Sequence, residues 1–121
     1  GHTFAHAYEA SLGYSKKLNH GEAVILGMKT ALSFSLKNNL LKKDEYYLIN
    51  NHITNSKLPS NIKKFFKTQD LKKIMSFMLK DKKNYSDKIS LVLLKKIGSP
   101  IINKEYDKKN LNLFLKKELS N

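Results

Sequence analysis

The chain has 121 residues, enough for one domain with a hydrophobic core, and its 40% hydrophobic and 27% charged residues are an ordinary globular balance. There is no cysteine, which excludes disulfides and thiolate metal sites and fits a reducing cytoplasm; no apolar run reaches the roughly 18 residues of a spanning helix, so no membrane partner is expected. The net charge is +13 with lysine as its sole cationic residue type, a composition that argues against base-edge or bidentate phosphate readout, for which arginine is favoured.

The elements are mainly helical. Residues 2–12 lack Gly and Pro inside and carry Ala5, Ala7 and Ala10, which favour helix; Gly13 stands where a C-terminal stop belongs. After Gly21 a long helix is expected from Glu22 to Leu41, with apolar residues around much of its circumference, as in a helix buried in a helical assembly. A third is expected from Lys43 to about Ser56 with Tyr47, Leu48 and Ile53 inward, broken by Leu58-Pro59-Ser60. Lys63–Phe66 and Asp70–Lys80 read as further helical pieces, Asp70 as N-cap.

Lys82–Asp87 reads as a polar turn. Ile89–Ile97 is β-compatible and is ended by Gly98-Ser99-Pro100, and Ile101-Ile102 offers a second short strand, giving one short β-hairpin. Asp107–Leu119 is a terminal helix with Leu111, Leu113, Phe114 and Leu119 as its apolar positions. The lysines recur as pairs, from Lys16-Lys17 to Lys116-Lys117, the pattern of solvated helix faces; a basic helical module that binds nucleic acid is the competing reading.

Three of the four histidines lie within the first 20 residues: His2, His6 and His20. His2 and His6 are spaced i, i+4, which on a helix sets both imidazoles on one face with Cβ atoms roughly 6 Å apart. His20 follows Gly13 and a Lys-containing turn and can return to the same helix. Neutral imidazole is the commonest metal ligand near neutral pH, and two His with one carboxylate is a known catalytic zinc set. The same spacing also occurs as plain surface histidines. For Glu9 the readings are ligand, cap or ion pair; for Glu22, a favourable charge in the first turn of a helix. His52 reads as a surface residue, and Phe65, Phe66, Phe77, Met75 and Met78 as core.

GHTFAHAYEA, then GY, then HGEAVILGM, together with MLKDKKNYSDKISLVLLKKIGSP downstream, resembles the dehydroquinate synthase family over essentially the whole chain. The resemblance implies a C-terminal helical domain, residues 1–121, that binds metal and substrate. It also implies a nicotinamide-binding domain preceding Gly1; no Gly-rich phosphate loop is seen in this sequence, and a start on the motif without a Met reads as a fragment. It implies His2 and His20 as ligands of zinc or cobalt, with a third carboxylate ligand upstream of Gly1. His6 is implied as the catalytic and substrate-contacting histidine, and Lys82, with Lys83 as second choice, as the cation that anchors the substrate. The implied reaction takes 3-deoxy-D-arabino-heptulosonate 7-phosphate to 3-dehydroquinate and phosphate, with NAD as cofactor of a homodimeric parent. Related sugar-phosphate cyclases share the first motif and remain alternatives, as does a catalytically dead remnant. The family often has Gly where Ala5 stands, a substitution small enough to keep close packing. The 121 residues alone are expected to be inactive and to bind metal weakly.

Overall fold

The computed structural model describes residues 2–56, 61–81, 88–96 and 99–120, with residues 2, 80–81, 88–96 and 99–106 defined by their backbone alone. Among them run the helices α1 (His2–Ser11), α2 (His20–Lys37), α3 (Lys43–Asn55), α4 (Leu71–Asp81) and α5 (Lys108–Ser120), and the strands β1 (Lys88–Lys96) and β2 (Ser99–Asp107). Short 3-10 turns at Ile62–Lys64 and Thr68–Asp70 link α3 to α4. The mainly helical expectation holds.

Local chemistry sets the helix ends. α1 closes as a Schellman motif: the Tyr14 N–H donates to the Glu9 carbonyl at 2.9 Å and the Gly13 N–H to the Ala10 carbonyl at 3.0 Å, with Gly13 at φ +64° and Tyr14 at φ +57°. Gly13 is thus the stop its position predicts. α2 begins two residues before the expected Glu22, because Asn19 and Glu22 form a reciprocal capping box: the Glu22 N–H donates to Asn19 Oδ1 at 2.8 Å and the Asn19 N–H to Glu22 Oε1 at 3.0 Å. It ends four residues before the expected Leu41, because Asn39 turns left-handed at φ +58° and the Leu40 N–H reaches back to the Ser35 carbonyl at 2.9 Å.

Two further expectations are corrected. Tyr47 and Leu48 do not point inward: they are 55% and 64% exposed, and α3 instead packs Tyr46, Ile49 and Ile53, a helical stripe, on Leu32 and Leu41. Asp70 is not the N-cap of α4 but the last residue of the preceding 3-10 turn, its carboxylate accepting from the Lys67 N–H at 2.8 Å. Leu113 is 63% exposed, whereas Leu115, not singled out in the sequence, is fully buried.

α1 packs on both α2 and α4. Phe4, Ala5, Ala7 and Tyr8 of α1, Leu26 and Phe34 of α2, Phe66, Ile74, Met75 and Met78, and Leu111, Phe114 and Leu115 of α5 make the main core. Ala5 is buried, as close packing at that position requires. Ring contacts run through this core, with Tyr8 and Phe66 centroids 5.3 Å apart and Phe34 meeting Phe114 edge-on at 5.0 Å. Phe66, Met75 and Met78 are core as expected; His52 is exposed, as are Lys16, Lys17, Lys72, Lys73, Lys116 and Lys117.

β1 and β2 pair antiparallel from Lys88↔Asp107 to Lys96↔Ser99, with irregularities between Leu91 and Leu93 and between Leu94 and Lys96. β2 is longer than Ile101-Ile102, and Pro100 lies within it opposite Leu94; a strand with a single paired edge tolerates a proline that has no N–H to give. The turn at residues 97–98 that would join the strands, and the polar turn at 82–87, lie outside the described residues.

Candidate active site

α1 is buried on nearly all sides, with one stripe left open. Thr3, Phe4, Ala5, Ala7, Tyr8 and Ser11 are buried, while His6 is exposed and Glu9 partly so. Positions 2, 6 and 9 follow each other at helical spacing, so the backbone sets His2 on that same stripe, two turns ahead of Glu9. The stripe of chemically capable residues is therefore the face that the core does not use.

His20 reaches the stripe from the next helix. The left-handed pair Gly13-Tyr14 reverses the chain, and the Asn19–Glu22 capping box fixes the first turn of α2, whose first residue is His20. Its Nδ1 lies 3.2 Å from both Glu9 oxygens. The Glu9 side chain is 13% exposed and that of His20 70% exposed, so the pair joins a largely buried carboxylate to an imidazole that faces outward. In this structure both Glu9 oxygens face a histidine. Glu22, by contrast, is occupied in the capping box.

A buried hydrogen bond clamps α1 to α2 one residue from Glu9. Tyr8 Oη lies 2.6 Å from Thr30 Oγ1, and Thr30 Oγ1 also lies 2.9 Å from the Leu26 carbonyl, to which it donates. The Thr30 proton is thereby used, so the Tyr8 hydroxyl is the donor between the two. Burial pushes the Tyr8 phenol far above its ordinary range, outweighing the Thr30 hydrogen bond that acts the other way; the charge of Glu118 adds to the rise. Tyr8 is thus a neutral structural donor. Neither Tyr8–Thr30 nor Glu118 was legible as a feature in the sequence.

The donor chemistry fits a divalent metal. A metal-bound histidine directs its second ring nitrogen to a carboxylate or carbonyl, and His20 Nδ1 lies 3.2 Å from Glu9, leaving Nε2 as its remaining nitrogen. Among the described residues no three His, Cys, Asp or Glu gather into a cage; the His2 side chain is not among them. Lys82 and Lys83 likewise lie outside the described residues. Among the described residues Gly13 closes α1 and Gly21 and Gly27 lie inside α2, so none of these glycines forms a strand-to-helix phosphate loop. Among the described residues no helix is long and apolar enough to cross a membrane.

Comparison with known proteins gives a consistent result. The sequence model of the 3-dehydroquinate synthase C-terminal family matches residues 1–84. A 3-dehydroquinate synthase of Pelagibacter ubique is 61% identical over 120 residues, covering 99% of this chain and 33% of that protein. One of Zymomonas mobilis is 34% identical over 120 residues, covering 99% and 32%, and one of Coxiella burnetii 36% identical over 115 residues, covering 95% and 31%. The chain spans about one third of the length of the curated relatives it matches.

Proposed function

The chain belongs to the 3-dehydroquinate synthase C-terminal family, and from that premise we propose that it forms the helical wall of an active site that converts 3-deoxy-D-arabino-heptulosonate 7-phosphate to 3-dehydroquinate and phosphate. The observation that carries the reading is the Glu9–His20 pair, which holds the second motif's histidine against the open stripe of the first. Chemistry-bearing residues from two separated motifs meet there, although the paired side chains stand 11 positions apart in the sequence.

In this reading His2 and His20 hold a zinc or cobalt ion, with a carboxylate from outside these 121 residues as third ligand. The ion supplies Lewis acidity at a substrate hydroxyl. His6, exposed one turn from His2 on the same stripe, accepts or returns a proton at the substrate's hydroxyl or phosphate oxygen. Lys82, with Lys83 beside it, anchors a substrate carboxylate or phosphate as a point charge. The nicotinamide chemistry belongs to residues not contained in this chain. The parent is a phosphate-eliminating carbon–oxygen lyase of the cytoplasm, active as a homodimer, and the 121 residues by themselves do not turn over. The names of the relatives favour this substrate over those of related cyclases.

The test replaces the matching third of the Pelagibacter ubique enzyme with this chain and follows phosphate release. The chimera is expected to be active, and His2→Ala or His20→Ala to abolish both activity and bound metal. His6→Ala is expected to keep the metal and lose about 100- to 10,000-fold in rate, the usual worth of a general acid–base group. A folded, metal-loaded chimera that releases no phosphate would sink the proposal.

A further inference from the structure

Glu9 is the carboxylate that His20 meets. It lies in the last turn of α1, whose carbonyl end carries negative partial charge, and its side chain is only 13% exposed, so it has lost most of its hydration. Its partner is His20 Nδ1, 3.2 Å from each oxygen. An ionised carboxylate accepts hydrogen bonds and cannot donate them, so the proton between the two groups is on Nδ1. A neutral imidazole carries one ring proton, and Nε2 is then left with its lone pair on a ring that is 70% exposed. The ring's direction is fixed at the same time, because the capping box holds His20 at the start of α2 while Glu9 holds its Nδ1.

We infer that Glu9 is a positioning residue that holds His20 in its Nδ1–H tautomer and so offers Nε2 to a divalent cation. This rests on the metal-holding role proposed above for His20. It assigns to Glu9 a task distinct from that of a metal ligand: both its oxygens are directed to the histidine.

Long-range proton–nitrogen NMR of the chain with labelled histidines reads the tautomer directly, at about pH 8, above the ordinary histidine range. His20→Gln identifies the His20 signals. Wild type is expected to show Nδ1–H at His20, Glu9→Ala to revert to the Nε2–H form that histidine prefers in water, and Glu9→Gln, whose amide oxygen accepts the same bond, to keep Nδ1–H. Zinc added to the wild type shifts Nε2 of His20, and apparent zinc affinity falls about 10- to 100-fold in Glu9→Ala but much less in Glu9→Gln. An Nε2–H tautomer in the wild type, or the same tautomer in wild type and Glu9→Ala, overturns the inference. An Nδ1–H ring that ignores zinc overturns the offering of Nε2. An inactive chimera whose His20 still behaves as described would remove the proposed reaction and leave the role of Glu9 in place.

Discussion

Replacing Tyr8 by Phe removes one oxygen from the interface between α1 and α2, and the structure fixes the consequence. Tyr8 is fully buried and donates at 2.6 Å to Thr30, whose own proton goes to the Leu26 carbonyl. Without Tyr8 Oη, Thr30 Oγ1 keeps its acceptor but loses its donor, so Tyr8→Phe should cost about 1 kcal/mol. Thr30→Val is worse, because the Tyr8 hydroxyl is then buried with no partner, a loss of about 1–3 kcal/mol. With an unfolding entropy of about 2.1 cal/mol/K per residue, 121 residues lose roughly 4 °C of Tm per kcal/mol, so the two single variants should melt about 4 °C and about 4–12 °C early. The double variant Tyr8→Phe/Thr30→Val replaces both polar groups by apolar ones of similar shape and should be more stable than Thr30→Val alone. Thermal and urea unfolding followed by far-UV circular dichroism measures all four corners of the cycle. Additive losses, or a Tyr8→Phe midpoint equal to wild type, would refute the assignment of a coupled donor–acceptor pair.

Glu118 gives a prediction with a pH sign. Burial raises its carboxyl above the ordinary 4.5, against the lowering effects of the Ser33 hydrogen bond and of Lys29, Lys37 and Lys63. A group that binds its proton more tightly when folded loses stabilising effect as pH rises from the unfolded value through the folded one, and stays at the lower level above it. Glu118→Gln should therefore raise the unfolding midpoint at pH 7 and leave it nearly unchanged near pH 4; the reverse order would contradict the dominance of burial. Gly13→Ala isolates a backbone effect: an added Cβ meets nothing within 4 Å, yet φ is +64°. The expected loss is about 1 kcal/mol, or roughly 4 °C, and the same NMR experiment should show a weakened Glu9–His20 pair, since Gly13 turns the chain between them. A midpoint unchanged from wild type would mean that the turn relaxes at no cost.

Much of the fold was legible because its signals are local. Ala-rich spacing marked α1, Gly13 marked its end, and the apolar wrap of residues 22–36 marked a buried helix. What failed was decided by contacts distant in sequence or by a single backbone angle. The face of α3 could not be chosen from its own sequence, since Tyr47-Leu48 is as apolar as Tyr46 and Ile49. Leu32 and Leu41 choose it, by packing on the second pair. The end of α2 was misplaced because nothing in an Asn-Asn pair says which residue turns left-handed, and the structure gives that role to Asn39.

The site divides along the same line. The i, i+4 pair and the histidine after the turn were visible as spacing, and the relatedness to 3-dehydroquinate synthases rests on those motifs. That Glu9 faces His20 could not be chosen from the sequence among the ligand, cap and ion-pair readings, because the contact depends on where the eight-residue connection from Leu12 to Asn19 delivers the next helix. One sequence signal did favour it. A carboxylate in the last turn of a helix opposes the dipole, whereas Glu22, in a first turn, is aided by it. An acid kept at the unfavourable end is held there by a partner, and a histidine delivered to the opening turn of the next helix is the partner this chain provides. The two glutamates therefore divide the labour of fixing one imidazole: Glu22 sets the backbone from which His20 projects, and Glu9 sets the direction its ring faces.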